Sequence, residues 1–235
     1  MKLTLAALAV LGAAICAAAQ NKVTARPEKP DAQSPPGAAA GEKAAADARY
    51  RYWFEQPDFI VHRVEIEHDD RGRGTIRFWR RTDAEPITDP LEVSAEALAR
   101  IRGLYEALRF LDSDANYQGK REYPSFGKTR LRLSSGGRER TTEFNYPGDP
   151  NAMALMQEYR RLTEQAVFVF EIKLAVEMQP LEAPKLMNKL ETLLRLNQIS
   201  DPKQLAPLVR TLSTDERLPL IARNHAVRLL KKLEK

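Results

Sequence analysis

The chain has 235 residues, 43% of them apolar, a formal net charge of +5 and a pI near 9.3, enough apolar material for one substantial core or two small ones. Residues 51–149 hold 17 Lys/Arg against 18 Asp/Glu, whereas 150–235 hold 14 against 10, so the positive excess lies mainly in the C-terminal part. With no basic run of five or more, the composition argues against nucleic acid as the partner and leaves only weak attraction to anionic surfaces.

At the N-terminus, Met1-Lys2 and the apolar run Leu3 to Ala19 have the layout of a secretory signal peptide, with a cleavage site such as Ala17-Ala18-Ala19. Cys16 follows Ile15 where a lipobox needs a small residue, so soluble release into the periplasm or outside the cell is expected. Cleavage after Ala19 would leave no cysteine, hence no disulfide and no thiol chemistry. Residues 20–48, with Pro27, Pro30, Pro35 and Pro36 among alanines, lack the large apolar groups that offset ordering entropy and are expected to form a flexible leader. Tyr50-Arg51-Tyr52-Trp53-Phe54 interleaves aromatic and basic side chains. It reads as the chain entering its core, with a stacking platform as the other option.

The stretch from Phe59 to Tyr146 organises the rest. Val64–Glu67 and Thr75–Arg80 alternate apolar and polar residues around Asp69-Asp70-Arg71-Gly72-Arg73-Gly74, the pattern of a half-buried hairpin. A second hairpin pairs Thr129–Leu133 with Arg140–Phe144 across Gly136-Gly137, which supply the positive φ angles of a tight primed turn. Centring the turn there sets Leu131 opposite Thr142 and Thr129 opposite Phe144 on an oily face, and Arg130 opposite Glu143 on a charged one. Between the hairpins Ser94 can N-cap a helix through Leu98, Ile101, Leu104, Tyr105 and Leu108. Asp149-Pro150 opens a long helical run that Met178-Gln179-Pro180 stops. Its almost wholly apolar stretch Ala166–Phe170 must be covered on more than one side. Three shorter runs follow, near 184–197, 202–212 and 217–233, with Asp201-Pro202 and Ser213-Thr214-Asp215 as start signals.

The expected fold class is α+β: a four-stranded antiparallel sheet of two hairpins with two helices on one face, in a domain over 49–178, followed by a C-terminal helical hairpin over 179–235. The other sheet face should be wet and carry Arg63, Glu65, Arg77, Trp79, Arg81, Lys128, Arg130, Arg132 and Glu143. Trp79 exposed beside Arg77, Arg81, Arg130 and Arg132 has the composition enriched at protein contacts. The competing reading is that a strand-end bulge turns Trp79 inward, or that the C-terminal helices or the leader cover it. The loop Tyr117–Gly127, with Tyr117 and Tyr123, is the second candidate contact region, since loops of that length are functional or mobile.

Catalytic patterns are missing from the sequence. There is no G-x-S-x-G, H-E-x-x-H or P-loop spacing, and the histidines are His62, His68 and His225. His68-Asp69-Asp70 has the ligand types for a divalent ion, but a solvated turn explains it better. Asp112 and Asp114 fit a helix stop as well as a carboxylate pair, and His225 fits a helix surface or interface. The expectation is a protein without enzymatic activity, cofactor or metal, whose partner is another exported or envelope protein.

Two resemblances bear on this. Asp201–Arg210 followed by Leu218–Leu230, with an early proline in the first helix and Arg223, Ala226 and Leu229 in the second, resembles a HEAT-type helical hairpin. That resemblance implies a scaffold for protein contacts, although one hairpin is short of the three or so repeats a solenoid needs, and it reads as a cap on the long helix. Residues 60–162, with Ser94–Ile101 opening a helix and Gly136-Gly137 turning a later hairpin, resemble in outline the emfourin-type inhibitors of thermolysin-like metalloproteases. That resemblance implies inhibition of an exported protease as the alternative function, and it assigns no inhibitory residue.

Overall fold

The computed structural model describes residues 48–234. The expected signal peptide at 1–19, and all but the last residue of the expected leader, lie outside the described residues. Six strands, β1 (Arg49–Glu55), β2 (Val61–Asp69), β3 (Arg73–Arg80), β4 (Ile87–Glu92), β5 (Lys128–Ser135) and β6 (Arg138–Phe144), form one antiparallel sheet in the order β4-β3-β2-β1-β5-β6. The helices are α1 (Ala95–Ala107), α2 (Pro150–Met178), α3 (Ala183–Arg195), α4 (Ala206–Thr214) and α5 (Leu220–Leu233).

The four-stranded expectation is therefore corrected to six. β1 is the segment read from sequence as the chain's entry into its core: Tyr50-Arg51-Tyr52 alternates, but Trp53, on the wet face between Tyr52 and Phe54, puts an aromatic where the alternation calls for a polar residue. It pairs with β2 on one side and β5 on the other, so it joins the two expected hairpins into one sheet. β4 was hidden by Thr88-Asp89-Pro90. As an edge strand it has one neighbour, β3, and a proline is tolerated there because its missing N–H can face away from the ladder.

The second hairpin takes the register read from its turn, with Leu131 opposite Thr142, Thr129 opposite Phe144 and Arg130 opposite Glu143. Gly136 and Gly137 have φ of 57° and 74°, left-handed values that a side chain would strain. Ser94 caps α1 by accepting from the Ala97 N–H, and Asp149 caps α2 by accepting from Asn151 and Ala152. α5 starts later than expected: the Asp215 side chain accepts from the Arg217 N–H within a turn, and the helix begins after Pro219.

α1 and α2 cover one face of the sheet. Ile101 and Tyr105 from α1, and Leu155 and Tyr159 from α2, share a core with Tyr52, Ile66, Phe78 and Leu131. Further along α2, Phe168 and Ile172 turn into a second core with Met187, Leu190, Val209 and Leu229. The 29-residue α2 is thus a spine common to both.

Polar groups weld the C-terminal helices to this spine. The Glu158 carboxylate, 1% exposed, accepts from Arg100 Nη2 at 2.9 Å, from Ser200 Oγ at 2.5 Å and from Arg161. Burial alone would push the Glu158 carboxyl up, but the hydrogen bonds from Arg100, Ser200 and Arg161 outweigh it and hold the group below the usual carboxylate range. Gln165 Oε1 accepts from the Asp201 N–H at 2.9 Å, and Gln204 Nε2 donates to the Glu92 carbonyl at 2.9 Å, reaching the edge strand. Among the described residues no helix is long and apolar enough to cross a membrane.

Candidate contact surface on the open sheet face

Strand alternation sends every second side chain away from the helices, and the register assembles them into rows across the sheet. One row runs Thr88, Arg77, Glu65, Trp53, Arg130, Glu143, and the next runs Pro90, Thr75, Glu67, Arg51, Arg132, Thr141. A third carries Trp79, Arg63, Glu55 and Lys128. All of these residues are exposed or part-exposed.

Neighbouring strands place opposite charges side by side, and most of the arginines are answered within the face. Glu65 takes Arg63 at 2.5 Å and Arg77 at 3.6 Å. Arg51 pairs with Glu67 at 2.9 Å, Arg130 with Glu143 at 2.7 Å and Arg132 with Glu139 at 2.5 Å. Exposed pairs of this kind contribute little to stability, roughly 0–1 kcal/mol each. What they do is hold long side chains in fixed positions. The guanidinium carbons of Arg63 and Arg77 lie 4.6 and 5.2 Å from the centroid of the Trp79 ring, so the indole is clamped by two cations that share Glu65. Trp53 stands in the adjacent row between Glu65 and Arg130. Both tryptophans of the chain lie on this one face.

Of the sequence-predicted contact residues, Trp79, Arg77, Arg130 and Arg132 share this face, but only Arg77 lies beside Trp79: Arg130 and Arg132 are on β5, separated from β3 by β2 and β1. A bulge does occur in β2 between Val61 and Arg63, yet Trp79 stays opposite Arg63 on the open side. Arg81 is exposed just past the end of β3, its N–H bonded to the Ile60 carbonyl at 2.9 Å. The two tyrosines are elsewhere. Tyr117 is 4% exposed, packed beside Phe110 and Phe144, with its hydroxyl accepting from Arg140 at 3.0 Å. It has no surface to offer a partner, because the Gly119 N–H to Tyr146 carbonyl and Gly148 N–H to Tyr117 carbonyl bonds draw the start of the loop inward. Tyr123, 39% exposed, forms a separate aromatic cluster with Phe126 and Tyr146, at centroid distances of 5.8 and 4.9 Å. The Asn145 amide staples that loop by donating to the carbonyls of Tyr123 and Gly127 at 2.7 and 2.6 Å, so the segment is anchored at both ends.

No protein-family model matches the chain, and no curated protein matches it. The contact surface therefore stands on its geometry.

The other sequence candidates for chemistry resolve into structure. His68 is fully buried, not part of a solvated turn, and both ring nitrogens are committed. Nδ1 lies 3.0 Å from the Asp69 carbonyl, which can only accept, so Nδ1 carries the proton and Nε2 accepts from the Tyr159 hydroxyl at 3.1 Å. No nitrogen is left for a metal. Tyr50 stacks on the imidazole at 4.8 Å, and burial pushes His68 below its ordinary value. Asp69 organises the turn by accepting from the Arg71 and Arg73 N–H groups. Asp112 pairs with Arg138, and His225 Nε2 meets Glu191 at 3.0 Å between α3 and α5. Among the described residues no group of three His, Cys, Asp or Glu is placed to hold a metal ion.

Proposed function

We propose that the protein is a non-enzymatic protein-binding or adaptor module, acting in the periplasm or outside the cell, whose contact surface is the open face of the sheet. The observation that carries this reading is the placement of Trp53 and Trp79 on one face, among arginines already paired with carboxylates. Tryptophan and arginine dominate the residues that carry binding energy at protein interfaces. Pre-paired arginines also spare a partner the cost of ordering them one at a time. The partner is another exported or envelope protein.

The test is an affinity capture from envelope and secreted fractions with the wild-type chain and its Trp79→Asp and Trp53→Ser variants. A partner held at stoichiometric yield by wild type and lost from both folded variants is the expected result. Equal capture by the variants would remove the open face from consideration.

The second reading, inhibition of an exported protease, draws on the anchored loop with Tyr123 and Phe126 exposed at 39% and 38%. Titration of thermolysin-like and serine proteases decides it, since an inhibitor saturates near one equivalent.

A further inference from the structure

One corner of the sheet buries a titratable group that neither contact surface uses. His68, near the end of β2, is 0% exposed and is walled in by tyrosines. Tyr50 of β1 stacks on the imidazole at 4.8 Å, Tyr159 of α2 lies tilted to it at 5.9 Å, and Tyr105 of α1 packs against Tyr50 at 5.4 Å. From β3 the residue opposite His68 is Gly74, which brings no charge. With Nδ1 donating to the Asp69 carbonyl and Nε2 accepting from Tyr159, the neutral ring is satisfied. A second proton would set an N–H against the Tyr159 hydroxyl and place a charge where no water reaches.

The charges around the corner are already committed. Asp70 is tied to Arg102 of α1 at 2.7 Å and accepts from the Tyr50 hydroxyl at 3.1 Å. The Asp69 carboxylate accepts from the Arg71 and Arg73 N–H groups, and Arg49 of β1 lies exposed opposite Asp69. Burial outweighs the pull of the two aspartates and holds His68 below its ordinary 6.5. The turn itself is fastened to the helix side by the Arg102–Asp70 pair and by the Val93 N–H, which donates to the Gly72 carbonyl at 2.8 Å. Tyr50 also lines a hollow of about 480 Å³ shared with Ala48, Asp70, Arg102 and Tyr105, which gives water a short path to the imidazole once that ring moves.

We propose that His68 is a proton-triggered latch: mild acidification opens the corner around the Asp69–Gly72 turn and the start of β1, while the rest of the sheet stays paired. The opened imidazole meets water and takes a proton that the closed one refuses. Each pH unit below 6.5 therefore favours opening by up to about ten-fold, until the closed ring itself titrates, and above 6.5 the latch is indifferent to pH. The far end of the same strands, where Trp79 lies opposite Arg63, keeps its place. The latch does not rest on the open-face reading.

The test is native-state hydrogen exchange of the full chain, followed by NMR from about pH 7.5 to about pH 5, with and without urea well below the unfolding range. Protection of the Gly72 and Val93 amides should fall by up to about thirty-fold between pH 6.5 and about pH 5, with no response to urea, because a local opening exposes little surface. Core amides such as Phe78 should respond to urea. His68→Gln should remove the pH dependence at the corner, and Trp79→Asp should leave it unchanged. Corner exchange that follows urea as the core does, or a pH dependence that survives in a folded His68→Gln chain, overturns the proposal. The wild-type chain gives a further check through the imidazole ¹⁵N shifts: a ring that titrates at its ordinary value while the corner amides stay protected also overturns it.

Discussion

On the helix side of the sheet, Tyr52, Ile66, Phe78 and Leu131 are at most 2% exposed and touch only protein. One residue along each of the same strands, Trp53, Glu65, Arg77 and Arg130 form an exposed lattice of ion pairs around two indoles. The same hydrogen-bonded ladders serve both faces, so the backbone gives neither face an advantage. What differs is the solvent each face meets. Substitutions on the first face should be read out as stability, and on the second as binding with the fold intact.

The largest expected effect is on the buried face. Phe78→Ala should cost about 3–5 kcal/mol in urea unfolding, the range for truncating a fully buried aromatic. A loss below about 1 kcal/mol would mean the core is not packed as described. Glu158→Ala comes next, at about 2–3 kcal/mol. That is less than for a fully buried pair, because Arg100 is 42% exposed and water can take over part of its solvation. Hydrogen exchange in α3–α5 should rise with it, and unchanged exchange there would separate the carboxylate from the docking of those helices.

The third effect is a pH dependence on the buried side. His68 has a lower pKa folded than its unfolded value of 6.5, so below that pH the unfolded chain takes a proton the native chain refuses. Stability should be unaffected by His68 above pH 6.5 and fall by up to about 1.4 kcal/mol per pH unit below it, until the folded pKa is reached. The window from pH 6.5 to about pH 5 keeps clear of Glu158, whose own contribution is lost only at more acid pH, as the solution passes below 4.5 toward its depressed folded pKa. His68→Gln should flatten that slope, and a slope that survives would place the titrating group elsewhere. The smallest effect belongs to the open face. Trp79→Asp should cost about 1 kcal/mol, from two part-exposed cation–π contacts, while abolishing partner capture. A loss of several kcal/mol would show that the indole is structural.

Much of this was legible in the residues. Gly136-Gly137 fixed the register of the second hairpin, Ser94 and Asp149 marked two helix starts, and the apolar breadth of Ala166–Phe170 announced a helix serving two cores. The strands that escaped notice did so for opposite reasons. Trp53 sets an aromatic where the alternation of Tyr50-Arg51-Tyr52 calls for a polar residue, and Pro90 makes β4 look too broken to pair. On the contact surface, Trp79 and its arginines could be placed by counting alternate residues from the turns. Trp53 was lost together with its strand, and the clamp of Arg63 and Arg77 depends on cross-strand neighbours that only the register supplies. Tyr117 looked like a loop residue because nothing local shows that Gly119 and Gly148 bond to a distant segment.

The central position of β1 has a kinetic consequence. β1 to β4 are contiguous in the chain and can zip up as local pairs, leaving the outer edge of β1 as a row of unpaired N–H and C=O groups. Its partner β5 begins at Lys128, more than seventy residues after β1 begins at Arg49. Closing so long a loop is the slow step that sequence-distant pairings impose. A chain emerging N-terminus first therefore passes through a stage in which four of the six strands are paired and one aromatic-rich edge is free to pair with another chain. Arg49, Arg51 and Glu55 along that strand place charge on the edge at the moment it is most prone to aggregate.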